Sequence, residues 1–228
     1  MTKALIIAAL VVAVAGAYIF IKRGQVLPSG SLATSTPSEI HVTTATLKES
    51  ADTYTVDAQY PQFGDPAIDA EIKSLVELSV MAFKNDVAAG PPPPRSATKY
   101  EFISRYDSPY VGADVVSAKL VTSTYMGGAH GMSVVNGLNF DRKIGRRLTL
   151  DDALLMTGLT LSQVSERAKK ELQDTLGADI IAPEGANPTS ENYSTFIVDE
   201  GSVTFVFQVY QVAPYAAGPQ EVSFERKQ

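Results

Sequence analysis

Residues 114–141, DVVSAKLVTSTYMGGAHGMSVVNGLNFD, contain two strand patterns separated by a short glycine-rich segment. In the first pattern, residues suited to one face of a sheet recur at the two-residue period of a β-strand. These residues are Val116, Ala118, Leu120, Thr122 and Thr124. So short a connection joins antiparallel neighbours, because parallel strands need a crossover of a dozen or more residues. The segment therefore predicts an antiparallel sheet.

Upstream of this hairpin, the sequence predicts two strands, a helix and a further strand. Residues 39–50 and 52–63 are rich in β-branched side chains, as strands are. Asp65 and Pro66 then supply a helix N-cap and a proline at the first helical position. Four prolines at 91–94 end this helix, because proline cannot continue it.

Downstream of the hairpin, the sequence predicts a short helix capped by Asp151 and Asp152, and a long helix over about 159–176. A β-hairpin turning at 199–201 and a last strand over 220–226 follow. Strands outnumber helices, and short turns join neighbours. We therefore expect an α+β fold, with a mainly antiparallel β-sheet and two principal helices packed on one face.

The N-terminus predicts a single transmembrane anchor over residues 1–23. Eighteen uncharged residues, Ala4 to Ile21, would span roughly 27 Å as a helix, close to the thickness of a bilayer core. The polar, proline-containing residues 24–38 are typical of a flexible tether. We expect a globular part held outside the cell membrane. A cleavable signal peptide, and hence a secreted protein, is the alternative, because small residues around Ala15 fit a cleavage site.

Charge and cysteine content exclude several classes of function. Removing Lys3, Lys22 and Arg23 from the 19 basic residues leaves 16 against 25 acidic ones, a formal charge of −9. Such a charge disfavours nucleic acid as a partner and favours cationic ones. The absence of cysteine excludes disulfides, thiolate metal sites and a cysteine nucleophile.

The chain has only two histidines, His41 and His130. His130, in the glycine-rich segment, is the candidate for catalysis or metal binding. A zinc site needs three or four converging ligands, which the sequence does not indicate. Ser133 lies nearby, but no nucleophile-elbow motif surrounds it. We therefore predict no metal, no cofactor and no catalytic residue. A hydrolase that modifies an envelope polymer, with His130 as general base, stays open as the alternative.

The glycine-rich loop is a candidate binding site. Paired glycines permit positive φ, and they also expose backbone N–H groups to an extended partner. The loop therefore serves either backbone geometry alone or ligand binding. We select Tyr125, Gly127, Gly128, His130 and Tyr215 as candidate ligand-binding residues, and expect the loops that carry them to meet at one end of the sheet.

Three stretches, TSTYMGGAHGM (122–132), NFDRKIGRRLTLDDAL (139–154) and VDEGSVTFVFQVYQVAPYAAGPQEVSF (198–224), resemble the extracytoplasmic domain of RsiV-type anti-sigma factors. The earlier YTVDAQYPQF (54–63) is similar to the N-terminal module of PdaC-type peptidoglycan deacetylases. The likeness covers roughly residues 40–225.

The resemblance implies an N-terminal α+β module at 39–127 and a C-terminal one at 128–228, packed as one unit. It also implies a bacterial cell-envelope domain of unknown function that senses or binds, rather than an enzyme. The partner that it implies is a protein, for instance a lysozyme, or a peptidoglycan-type glycan.

Overall fold

The computed structural model describes residues 41–93 and 99–227. They form nine strands and three α-helices: β1 Thr43–Ser50, β2 Tyr54–Gln62, α1 Pro66–Ala89, β3 Tyr100–Val111, β4 Val115–Tyr125, β5 Met132–Asp141, β6 Arg146–Arg147, α2 Leu150–Thr157, α3 Leu161–Leu176, β7 Phe196–Val198, β8 Ser202–Phe207 and β9 Gln220–Glu225. The predicted anchor and tether lie outside the described residues. None of the helices in residues 41–93 and 99–227 has both the length and the hydropathy of a membrane span.

Strands β1 to β6 form one sheet in sequence order. All neighbours are antiparallel except β2 and β3, which run parallel because α1 carries the chain back between them. The predicted hairpin of β4 and β5 pairs from Val115 opposite Asp141 to Thr124 opposite Met132. The predicted α+β class with a mainly antiparallel sheet is thereby confirmed.

Helix α1 begins where the sequence predicts. The Asp65 carboxylate accepts hydrogen bonds from the Ala67 and Ile68 amides at 2.8 and 3.1 Å, and Pro66 follows it. One face of the helix is buried: Ile68, Ile72, Val76, Val80 and Phe83. In the core, the Phe83 ring lies 5.6 Å from the Phe102 ring of β3, so this face packs on the large sheet.

The prediction of one sheet with the helices on one face is wrong. Strands β7, β8 and β9 form a separate antiparallel sheet, and α2 and α3 pack against it rather than beside α1. The buried face of α3, which includes Val164 and Leu172, shares a core with Phe205 and Phe224 of the small sheet. Local alternation marks a strand but does not say which sheet the strand joins, because the side-chain period is the same in both.

The small sheet docks on the large one through a buried polar contact. The Ser117 hydroxyl donates to Asn139 Oδ1 at 2.7 Å and accepts from the Val198 amide at 3.1 Å. Asn139 Nδ2 donates to the Phe196 carbonyl oxygen at 2.7 Å. A Cβ added to Gly137 would overlap that same carbonyl oxygen. The backbone of β7 therefore crosses the large sheet at van der Waals distance.

This docking buries both faces of β4 at its start. Val115, Val116, Ser117 and Ala118 are all buried, so the alternation of buried and exposed residues expected for one covered face is lost. The predicted module boundary between residues 127 and 128 falls in the loop between β4 and β5, and the large sheet continues across it. Both sheets lie in one compact unit.

The predicted cap of α2 is right for Asp152, which takes part in it, and wrong for Asp151. Thr149 is the N-cap, and its hydroxyl accepts a hydrogen bond from the Asp152 amide while the Asp152 carboxylate accepts from the Thr149 amide. Threonine and an acidic residue three positions later form a capping box, which takes precedence over a cap by Asp151.

Candidate functional site

The loop between β4 and β5 depends on its glycines. Gly127 and Gly128 have φ values of +84° and +98°, which side chains other than glycine rarely adopt. A Cβ on Gly131 would lie 2.8 Å from the Thr124 carbonyl oxygen. The backbone of this loop therefore requires glycine at these positions. His130, which follows them, is exposed on the surface.

Residues 208–219 form a second loop, between β8 and β9, and it presents two tyrosines. Tyr210 is 47% exposed and has a φ of +66°, which is unusual for a bulky side chain and indicates local strain. Tyr215 opens a short 3-10 turn that follows Pro214.

Two glutamines hold this second loop in place. The side-chain amide of Gln208 forms two hydrogen bonds with the backbone of Val135. Nε2 donates to the carbonyl oxygen at 2.8 Å, and Oε1 accepts from the backbone N–H at 2.9 Å, so the side chain pairs with the free edge of β5 as a strand would. Gln211 Nε2 donates to the carbonyl oxygens of Gly185 and Asn192 at 2.9 and 3.0 Å. Gln208 therefore links the Tyr210 loop to the strand that follows His130.

The two loops meet through three neighbouring aromatic rings. The centroids of His130 and Tyr215 lie 4.2 Å apart with 22° between the ring planes. Tyr210 lies 5.7 Å from Tyr215 at an interplanar angle of 37°. We call these three residues the aromatic platform. The expected meeting of the loops is thus observed; ligand binding by His130 and Tyr215 stays a prediction.

The remaining candidate residues lie at the end of β4 and in the glycine-rich loop. Tyr125 is half-buried, and its hydroxyl donates to the Gly128 carbonyl oxygen at 3.2 Å, which braces the glycine loop. Among the candidates, Tyr125, Gly127 and Gly128 therefore shape the loop that presents His130. Their contact with a ligand is untested.

The His130 ring has a defined hydrogen bond. Nδ1 lies 2.8 Å from the Gly131 carbonyl oxygen, and since a carbonyl only accepts, Nδ1 carries the proton. In the neutral ring this leaves the lone pair on Nε2. The exposed imidazole could therefore accept a hydrogen bond from a ligand or remove a proton from one.

Other catalytic groups do not gather around this imidazole. The Ser133 hydroxyl pairs with that of Ser123 across the strands at 2.8 Å, and no hydrogen bond joins it to His130 within the described residues. In the same part of the chain, no three His, Cys, Asp or Glu side chains come together as a metal site would require.

His130 and Tyr210 are exposed, so the platform reaches the solvent. Two depressions of about 400 and 370 Å³ lie elsewhere, one beside α3 and one beside the proline run, and no platform residue lines either. Tyr210 was not among the candidate residues, although it stands five residues before Tyr215. Gln208 and Gln211 were not among them either, because their contacts join residues far apart in the chain.

Two family models match this chain. Residues 47–133 match the model described as deacetylase PdaC, and residues 153–227 match the model of a protein of unknown function, DUF3298. The predicted resemblance to the PdaC-type module is confirmed.

Named relatives agree with this assignment. The chain is similar to the peptidoglycan-N-acetylmuramic acid deacetylase PdaC of Bacillus subtilis, with 26% identity over 189 residues, 82% of this chain and 40% of the relative. It thus spans well under half of that relative's length. The fold is similar to that of a DUF3298 family protein from Pseudomonas aeruginosa, with 16% identity, 83% and 95% of the two chains covered and a TM-score of 0.54. A DUF3298 member from Bacteroides fragilis matches with 19% identity, 82% and 90% coverage and a TM-score of 0.50.

Proposed function

We propose that this chain, which carries a PdaC-type region followed by a DUF3298-type region, is a binding module of the bacterial cell envelope without catalytic activity of its own. Its proposed ligand is a peptidoglycan-type glycan. The aromatic platform carries the proposal, because two loops that are distant in sequence bring three rings together. His130 and Tyr210 are exposed, and Tyr210 stands on strained backbone.

A sugar polymer suits such a surface. The C–H face of a pyranose ring packs on flat aromatic faces, and its hydroxyls bond to nearby backbone groups. An open surface also admits a long polymer, which a closed pocket would exclude. The name of the Bacillus subtilis relative supports peptidoglycan as the polymer. We propose peptidoglycan as a ligand of this chain, but we do not propose that the chain deacetylates it.

We further propose that the module is held at the outer side of the cell membrane by residues 1–23, whose composition suits a single span. Membrane fractionation and protease treatment of intact cells test this. If the proposed location is correct, the protein is found in the membrane fraction and is degraded by protease added to intact cells. Release into the medium would support the secreted alternative instead.

Binding of the full chain to purified peptidoglycan tests the platform. Tyr215→Ala removes the central ring of the stack, and we expect it to weaken binding roughly tenfold, since an aromatic contact and its buried area are lost. The matched control is Leu155→Ala, which truncates an apolar side chain that is 80% exposed on α2. Unchanged binding by a folded Tyr215→Ala variant would contradict the proposal.

A cationic protein is the second candidate ligand, and the formal charge of −9 outside the first 23 residues favours it. Lysozyme, implied by the resemblance, is basic, and opposite charges accelerate association. Retention of lysozyme by the immobilised chain at low salt and release at moderate salt would support this candidate. No retention at either salt concentration removes it.

The hydrolase alternative rests on the free Nε2 of His130. Release of muropeptides from peptidoglycan by the wild-type chain, and its loss in His130→Ala, would overturn the non-catalytic proposal. We expect no release by either protein.

A further inference from the structure

A carboxylate lies opposite the last residue of β4, on the face of the large sheet that the small sheet covers. Glu101 of β3 is paired directly with Tyr125 of β4, and directly paired residues project to the same side. Ser117, on the same side of β4 as Tyr125, contacts Val198 of the small sheet. Glu101 therefore lies on the face from which the small sheet and its Tyr215 loop project.

Tyr125 connects this carboxylate to the loop that carries His130. Directly opposed residues have Cβ atoms about 5 Å apart. The Tyr125 hydroxyl reaches Gly128, and His130, two residues further on, stacks on Tyr215. A glycan of several units that runs from the rings along this face would meet the Glu101 side chain.

The Glu101 carboxylate is available to a ligand. It is half-buried and forms no ion pair with any other described residue. Two described basic side chains near it in sequence, one just before β3 and one within it, are engaged elsewhere: Lys99 donates to the Ala51 carbonyl oxygen at 2.7 Å, and Arg105 donates to Asp57 at 2.7 Å. Neither of them supplies the cation that would complement Glu101.

A carboxylate beside aromatic faces matches an ammonium group carried on an apolar ring. The carboxylate forms a charge-assisted hydrogen bond, and the rings attract the cation through their quadrupoles. An amino sugar that has lost its N-acetyl group presents this combination, whereas an N-acetyl group is neutral and would leave the carboxylate without a charged partner.

Resting on the proposed function, we propose that the platform together with Glu101 selects glycans that carry free amino groups over their N-acetylated forms. In cell-wall polymers such amines arise when N-acetyl groups are hydrolysed. The module would thus bind de-N-acetylated stretches of glycan, and the negative charge of the chain would add to their attraction.

The test compares two probes of equal length, a glucosamine oligomer and an N-acetylglucosamine oligomer, by calorimetry with the full chain at mildly acidic pH. We expect the amino form to bind roughly tenfold more tightly, as one charge-assisted hydrogen bond would give. Glu101→Gln should abolish this preference. Glu166→Gln, which removes the same charge from the exposed side of α3, should retain it.

The outcomes separate the two levels of the proposal. Equal binding of both probes by the wild-type chain, or equal effects of Glu101→Gln and Glu166→Gln, overturns the amine preference alone, provided that Tyr215→Ala still weakens glycan binding. If Tyr215→Ala leaves the binding of both probes unchanged, or if lysozyme binds and neither probe does, the glycan platform itself is overturned.

Discussion

At the scale of single residues, the absence of a side chain at Gly137 permits the packing of the two sheets. It stands in the middle of β5, where glycine weakens a strand. Its position is explained by the Phe196 carbonyl oxygen of β7, which occupies the space that a Cβ would need. Glycine here permits two sheets to approach at backbone contact.

Gly137→Ala should therefore destabilise the protein by about 2–3 kcal/mol, as overpacking at a backbone contact does. Gly201→Ala is the control, because no atom lies within 4 Å of its Cβ position. Urea denaturation of both variants measures the effect. Equal stabilities would show that β7 does not press on Gly137.

At the scale of elements, the contact between β7 and the large sheet relies on Ser117 and Asn139. Both side chains are buried, and each fulfils hydrogen bonds that β7 and its neighbour would otherwise lack. A buried polar group that loses its partner costs more than the bond itself contributed.

Asn139→Ala should lower the free energy of unfolding by about 2–3 kcal/mol, because the Phe196 carbonyl and the Ser117 hydroxyl each lose a partner. Ser117→Ala should cost less. The double variant should be less destabilised than the sum of the two, since they share one network. Additive effects in a double-mutant cycle would contradict a common network.

The start of α2 provides a pH-dependent element. Two guanidinium hydrogen bonds from Arg146, at 2.8 and 2.9 Å, hold the pKa of Asp152 below the ordinary value of 3.8, with the Thr149 amide and hydroxyl adding to the effect. Because the folded-state pKa is lower, the ionised carboxylate stabilises the fold above pH 3.8, and this contribution is lost as pH falls through the folded-state pKa.

Asp152→Asn should cost about 1 kcal/mol at pH 7, through the weakened capping box and the lost ion pair. The difference from wild type should shrink at pH 3, where part of the wild-type advantage has gone. Asp151→Asn, at an exposed position outside the box, is the control and should cost less. Urea titrations at both pH values measure this, and a cost independent of pH would contradict the assigned cause.

At the scale of the whole molecule, the two sheets share buried surface. Val135 of β5 packs with Ile197 of β7 and Val206 of β8, and Val115 of β4 belongs to the core that α3 covers. Each sheet buries one face under its own helices and part of the other face against the other sheet. The boundary between the two matched family regions therefore crosses a shared core.

We accordingly expect residues 41–227 to unfold in one cooperative transition. Hydrogen exchange should report the same opening free energy for the most protected amides of β3 and of β8, and Gly137→Ala should lower both equally. Separate transitions, or a loss confined to β8, would instead identify two independent domains.

The sequence by itself determined the local features of this protein. Strand alternation, the Asp65 and Pro66 helix start, the end of α3 at Gly177 and the glycine-rich loop all arise from backbone preferences within a few residues. These preferences depend only on residues close together in the sequence, and so the α+β class was predictable.

Only the tertiary structure decided that the C-terminal strands form their own sheet, that Ser117 meets Asn139, and that His130 stacks on Tyr215 with Tyr210 beside it. It also placed Glu101 opposite Tyr125, the last residue before the loop that carries His130. Such contacts join residues far apart in the chain, and they depend on which apolar faces pack together. The period of a strand gives its two faces but not the partner of either, so the platform emerges only once both sheets have docked.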